Sequence, residues 1–166
     1  MIRTFSAAPE HIDELGHVNN AVWVQWIQDI ATAHWDAAAR PEDRAAFFWV
    51  VTRHEIDYRG NIDAGQSVTG ETWIEGPARG ATSLRRVDFR NAAGKVIVSA
   101  ATTWAMLDRK TNRLVRVRPE VLIVGNQEVE GQSVSVRRHG EGDLGKMSTD
   151  DLSSRILQEI GDKKAS

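Results

Sequence analysis

An α+β domain, in which one long helix is wrapped by an antiparallel sheet, is the fold class that three observations predict. Only one stretch of the first 120 residues, Asn19 to about Ala38, carries apolar residues at helical spacing. After it the pattern changes to alternation with period two, which marks strands. The helix is also too apolar on one side to stand alone, and a sheet folded around it is the simplest way to bury that side.

The elements follow in order. A short strand is expected near Ile2 to Ser6. Trp23, Trp26, Ile27, Ile30, His34 and Trp35 then fall on a single face at 3.6 residues per turn, while Gln25, Gln28, Asp29, Thr32 and Asp36 fill much of the rest. At 1.5 Å per residue this helix is roughly 30 Å long. Arg40-Pro41 ends it, because the residue before a proline is pushed out of the α region. From Thr52 to Arg59, His54, Ile56 and Tyr58 alternate with Arg53, Glu55, Asp57 and Arg59, as in a half-buried strand. Ser67 to Ile74 is the next strand, closed by Gly76-Pro77, and Thr82 to Arg90 follows, closed by the turn at Asn91 to Gly94. Val96 to Leu107 is a nearly continuous apolar run, which fits a central strand covered on both faces. Asp108 to Asn112 is a polar turn, beyond which Leu114 to Val117 can pair.

All six tryptophans lie before residue 110, and composition changes near Pro119. A boundary is therefore placed there, with residues 1–120 as the main domain and 121–166 as a C-terminal strand-strand-helix appendage. The appendage reads as a strand over Val121 to Val124, a turn, a strand over Ser133 to Arg138, a Gly-rich loop, and a helix from about Ser148. Asp150 and Asp151 stand where the dipole of that helix favours acids.

Composition excludes several function classes. The chain has 166 residues, 27% of them charged, with a formal net charge of -2, so no excess of basic charge points to nucleic acid or an anionic membrane. The absence of cysteine removes a thiol nucleophile, a disulfide scaffold and the usual structural zinc sites. No metal and no cofactor are expected. With neither a charged-then-apolar leader nor an apolar run of roughly eighteen residues, the expected location is cytoplasmic.

One stretch holds more polar chemistry than a turn requires: DELGHVNNA, Asp13 to Ala21, just before the tryptophan-rich helix. At a helix start the first backbone N–H groups lack intrahelical partners and carry the positive end of the dipole, so they can hold a polarised carbonyl oxygen. Gly16 allows close approach to the backbone, and Asp13 lies a few residues upstream. A carboxylate beside an oxyanion pocket is a minimal acyl-transfer site. Each residue also has a plainer reading. One of Asn19 and Asn20 suits an N-cap, Asp13 suits a turn, and His17 suits a hydrogen-bonding loop position. His34 reads as a satisfied core histidine. Arg85, Arg86 and Arg90 on one strand, with Arg59 and Arg79 in loops, could meet phosphates but read as solvated face charges.

The segment DELGHVNNAVWVQW, Asp13 to Trp26, resembles the active-site segment of hotdog-fold acyl thioesterases of the 4-hydroxybenzoyl-CoA type. HVNN followed by WIQDIA, and TWAMLDRKTNRLVRV from Thr103 to Val117, also resemble plant acyl-ACP thioesterases. The resemblance covers about residues 1–120. It implies a hotdog fold, a thioester hydrolase of fatty-acid metabolism acting on acyl-CoA or acyl-ACP, and a homodimer or homotetramer with sites across subunit interfaces. It also implies that Asp13 is nucleophile or general base, that the backbone N–H of Asn20 contacts the thioester oxygen, and that Gly16 and Asn19 border the substrate. His17 matches the histidine of the plant enzymes; Leu15 stands where their pattern has an asparagine. A non-catalytic acyl-thioester binder and a hotdog hydratase or dehydratase are the alternatives. The tail, especially VSVRRHGEGDLGKMS, resembles the C-terminal end of the anticodon-binding domain of threonyl-tRNA synthetases. Residues 121–166 hold eight acids against six Lys and Arg, so nucleic-acid binding is not expected there.

Overall fold

The computed structural model describes residues 1–118, Val121 and the backbone of two tail strands. The chain divides into two compact units, Met1–Ile123 and Val124–Ser166.

In the first unit, five antiparallel strands form one sheet: β1 (Ile2–Ser6), β2 (Phe47–Tyr58), β3 (Ser67–Ile74), β4 (Thr82–Arg90) and β5 (Val96–Asp108), in the spatial order β1-β3-β4-β5-β2. The long helix α1 (Asn20–Ala38) buries Trp23, Trp26, Ile27, Ile30 and His34, the face that helical spacing predicts. Against it pack Phe5 of β1, Val68 of β3, Val87 and Phe89 of β4 and Val98 of β5. Four of the rings cluster edge to face or tilted, with Phe89 at 5.3 Å from Trp23, 5.6 Å from Phe5 and 6.3 Å from Trp26. Inner strand β5 buries Ile97, Val98, Ala100 and Ala101, and a register shift against β4 beside Ile97 lets that residue join the cluster of Val98 and Ala100.

The edge strand β2 begins five residues earlier than the alternation suggests. Its register against β5 shifts between Val51 and Arg53, and this bulge changes the phase of the strand. Trp49 and Val51 are half-buried before it, whereas His54 and Ile56 are half-buried after it. A short helix α2 (Pro41–Ala46) also departs from expectation. Pro41 ends one helix and opens the next, because its missing N–H and fixed φ suit the first helical position. Beyond β5, Leu114 bridges Leu107 and the Val115 N–H reaches the Met106 carbonyl, a brief pairing in place of a full strand.

In the second unit, β6 (Ser133–Arg138) pairs antiparallel with β7 (Gly142–Ser148). The first of these strands is as expected, but β7 forms where the glycines suggested a loop. Ladder bonds formed with β6 outweigh the weak strand preference of Gly142 and Gly145. The expected helix from about Ser148 and strand residues 122–124 lie outside the described residues.

Gly70 shows how tightly β3 meets the aromatic cluster. A Cβ there would stand 2.9 Å from Cε1 of Phe89 and 3.0 Å from Cε2 of Phe5. Gly70→Val is therefore expected to destabilise the domain by about 1–3 kcal/mol through overpacking. A denaturant midpoint equal to that of the unaltered protein would contradict this.

Candidate active site

The stretch before α1 folds into a closed loop whose two legs face each other. The Asp13 N–H donates to the His17 carbonyl at 2.9 Å, the Asn19 N–H donates to the His11 carbonyl at 2.9 Å, and Ile12 bridges Val18. Asp13 therefore stands directly across from His17, and α1 starts three residues farther on. The Gly16 N–H closes the turn on the Asp13 carbonyl at 3.0 Å, with Gly16 at φ +79°.

Asp13 is half-buried and holds the loop with one oxygen only. Its Oδ1 accepts from the Leu15 N–H at 2.9 Å and the His17 N–H at 3.3 Å. No described residue donates to Oδ2. The loop thus fixes the carboxylate and leaves one of its oxygens available. Asn19 is the helix N-cap, its Oδ1 accepting from the Ala21 N–H at 2.9 Å. The next residue, Asn20, is the first of the helix, and its N–H donates to no described residue. Gly16, His17, Asn19 and Asn20 are all exposed.

Backbone geometry, not space, makes Gly16 necessary. No atom lies within 4 Å of where its Cβ would be, yet its φ is in the left-handed region. Gly16→Val is expected to cost about 1–2 kcal/mol of loop stability from the backbone alone. Faster amide exchange at Leu15 to His17, with the sheet unchanged, is the expected signature.

Two residues that hold this loop were not visible from spacing. Asn61, in the connection after β2, donates through Nδ2 to the Val18 carbonyl at 3.0 Å, while the Val18 N–H donates to the Ile62 carbonyl at 3.2 Å. Tyr58, at the end of β2, reaches the Asn20 carbonyl at 3.5 Å, and its partial burial pushes the phenol pKa up. Only the end of the TRHEIDYRGN run offers a sequence signal, a strand halted at Gly60 where the chain must turn.

The arginines of β4 divide by strand parity. Arg86 is paired to Glu75 at 2.6 Å, and Arg90 lies 3.7 Å from Asp88; both are face charges, as expected. Arg85 is not. It is 5% exposed and shares the inner face of β4 with Ser83, Val87 and Phe89, a parity legible in TSLRRVDFR. Its Nη1 donates to Nδ1 of His34 at 2.8 Å and to Oγ1 of Thr72 at 3.1 Å. His34 is the satisfied core histidine that its place on the tryptophan face predicts.

A cavity of about 250 Å³ opens beside the C-terminal half of α1, lined by residues from Ala31 to Asp36 and by β2, β4 and β5, and by none of the loop residues Asp13 to Asn20. Among the described residues no set of three His, Asp or Glu is placed to hold a metal ion, and no helix is long and apolar enough to cross a membrane.

Residues 3–124 match the family described as the acyl-ACP thioesterase N-terminal domain. A chloroplastic acyl-[acyl-carrier-protein] hydrolase from Cuphea viscosissima is 27% identical over 73 residues, 44% of this chain. A threonine–tRNA ligase from Prosthecochloris aestuarii is 42% identical over 45 residues, 27% of this chain. The chain spans only 18% and 7% of the lengths of these two relatives. Among solved structures, a probable thioesterase from Escherichia coli aligns at TM-score 0.63 with 21% identity, over 73% of this chain and 92% of that one. An acyl-ACP thioesterase from Bacteroides thetaiotaomicron aligns at TM-score 0.64 with 21% identity, over 70% of this chain and 49% of that one. These likenesses identify the helix and its wrapped sheet as the hotdog fold that the sequence resemblance implies.

Proposed function

Because this chain belongs to the acyl-ACP thioesterase family, we propose that it hydrolyses acyl thioesters at the Asp13 loop. The observation that carries this reading is the division of labour on one carboxylate, with Oδ1 engaged by the Leu15 and His17 N–H groups and Oδ2 left open. A thioester carbonyl oxygen is placed at the Asn20 N–H, where the positive end of the helix dipole stabilises the charge that develops on it. Gly16 and the Asn19 cap border this position and keep it narrow. Asp13 then acts in one of two ways. It attacks the carbonyl carbon, expelling the thiolate and leaving an anhydride that water opens, or it takes a proton from a water that attacks in its stead. Either way the products are a carboxylic acid and a free thiol. His17, across from Asp13, is assigned to proton exchange with solvent at the loop.

The carrier is CoA or acyl carrier protein, and the working unit is a homodimer or homotetramer. The oligomer is supported by β2, a twelve-residue edge strand whose outer side pairs with no described strand. The thioesterase domain is taken as residues 1–120, with 121–166 as an appendage that plays no part in the chemistry.

Thiol release from short, long and aromatic acyl-CoAs, and from the matching acyl-ACPs, tests the assignment. Release from at least one substrate is expected. Tight binding without release from any of them would favour the non-catalytic binder instead. A hydratase that used Asp13 and His17 together would need their side chains to cooperate, but here the two residues meet only through His17 backbone groups.

A further inference from the structure

The cavity beside the C-terminal half of α1 has an unusual inventory of donors. Arg85, 5% exposed, brings a guanidinium to its wall, and both of its hydrogen bonds go to neutral acceptors, His34 and Thr72. No carboxylate among the described residues pairs with it. Burial pushes its pKa down to about 10, which still leaves it a cation at neutral pH. An uncompensated buried cation is costly, and a bound anion would offset that cost. Around it stand Ser83, Trp49 and Trp104, whose hydroxyl and indole N–H groups are closed off from the cavity space, so Arg85 is the buried donor left for an occupant. The lining reinforces the sign, because it also holds Arg44 and Arg109 with Asp36 as the one acid.

Size and shape restrict the occupant further. A cavity of about 150 Å³ suffices to hold benzene, so about 250 Å³ leaves room for one substituted ring or a short branched chain. Indole walls suit a planar body. We propose that this cavity is a binding site for a compact organic carboxylate, whose oxygens face Arg85 while its apolar body lies against the indole rings of Trp35, Trp49 and Trp104. The site is separate from the Asp13 loop, so it stands or falls independently of the hydrolysis reading.

The test uses benzoate and its neutral counterpart benzamide as probes, titrated into the full chain by calorimetry and by tryptophan fluorescence. Benzoate is expected to bind with Kd below about 1 mM, and benzamide about 10- to 100-fold more weakly, the difference that a charge-assisted hydrogen bond makes. Arg85→Met should abolish the preference for the anion. Should that variant fail to fold, Arg85→Lys gives the second readout, because it keeps a cation at the wall without the planar fork. It is expected to keep the preference for benzoate while weakening its affinity about 3- to 10-fold. Asp13→Asn should leave benzoate affinity unaltered. Equal binding of benzoate and benzamide, no saturable binding of either, an anion preference that survives in Arg85→Met or is lost in Arg85→Lys, or loss of binding in Asp13→Asn would each overturn the proposal.

Discussion

Asp13→Asn is expected to lower thiol release by about 100- to 10,000-fold, the range that a positioned acid or base contributes, with no measurable loss of folded structure. The hydrogen bonds of the loop explain why the two effects separate. Leu15 and His17 need an acceptor at Oδ1, and an asparagine carbonyl supplies one in the same place. What asparagine cannot supply is a negative charge on the other atom. The variant thus keeps the turn and removes only the charge that the proposed hydrolysis requires. Circular dichroism and thermal midpoints should match the unaltered protein while turnover collapses. Full turnover in Asp13→Asn would leave the carboxylate with nothing but its turn-forming role, the plainer reading that spacing alone allowed.

The largest effect on stability is expected at Phe89, where replacement by Ala should cost about 3–5 kcal/mol. Phe89 is completely buried and meets three other rings, from β1 and from two successive turns of α1. Gly70 lies against it on β3, too close to admit even one more carbon. Rigid rings cannot slump into the space that Phe89 would vacate, so the cavity would persist and the cost would stay near the top of the range. A urea midpoint lowered at constant slope is the expected observation. A loss below about 1 kcal/mol would mean that Trp23, Trp26 and Phe5 repack more freely than their contacts imply.

Most of the first unit was legible because its signals are strong and local. The α1 face from Trp23 to His34 repeats with the helical period, and the strand stretches Ser67–Ile74 and Thr82–Arg90 are short and bounded by turn residues. What was not legible has a physical cause in each case. Phe47 to Val51 is continuously apolar, and the bulge before Arg53 shifts the phase, so no alternation connects the two halves of β2. Pro41 was read as a stop, although a proline stops one helix and starts another equally well. β7 depends on its partner β6, and a pairing partner leaves no mark on the strand's own composition. Within the site, Asp13, Gly16 and Asn19 announced themselves through residue type. Asn61 could not, because its partner Val18 is 43 residues away in the chain. Arg85 was misjudged by kind: arginines are commonly exposed, and parity with Val87 and Phe89 was the better guide.

That same tie between Val18 and residues 61–62 has a bearing on when the Asp13 loop takes its shape. A contact spanning 43 residues requires the intervening chain to be ordered first, and closing so long a segment costs entropy before the contact returns anything. The Asp13 loop lies in the first eighth of the sequence, yet its Val18 leg is fixed only after α1, α2 and β2 have been made and β2 has turned toward β3. A nascent chain that has emerged as far as α1 holds the chemical groups without their arrangement. The loop therefore takes its shape only once residues 61–62 are in place, and not on synthesis of the motif itself.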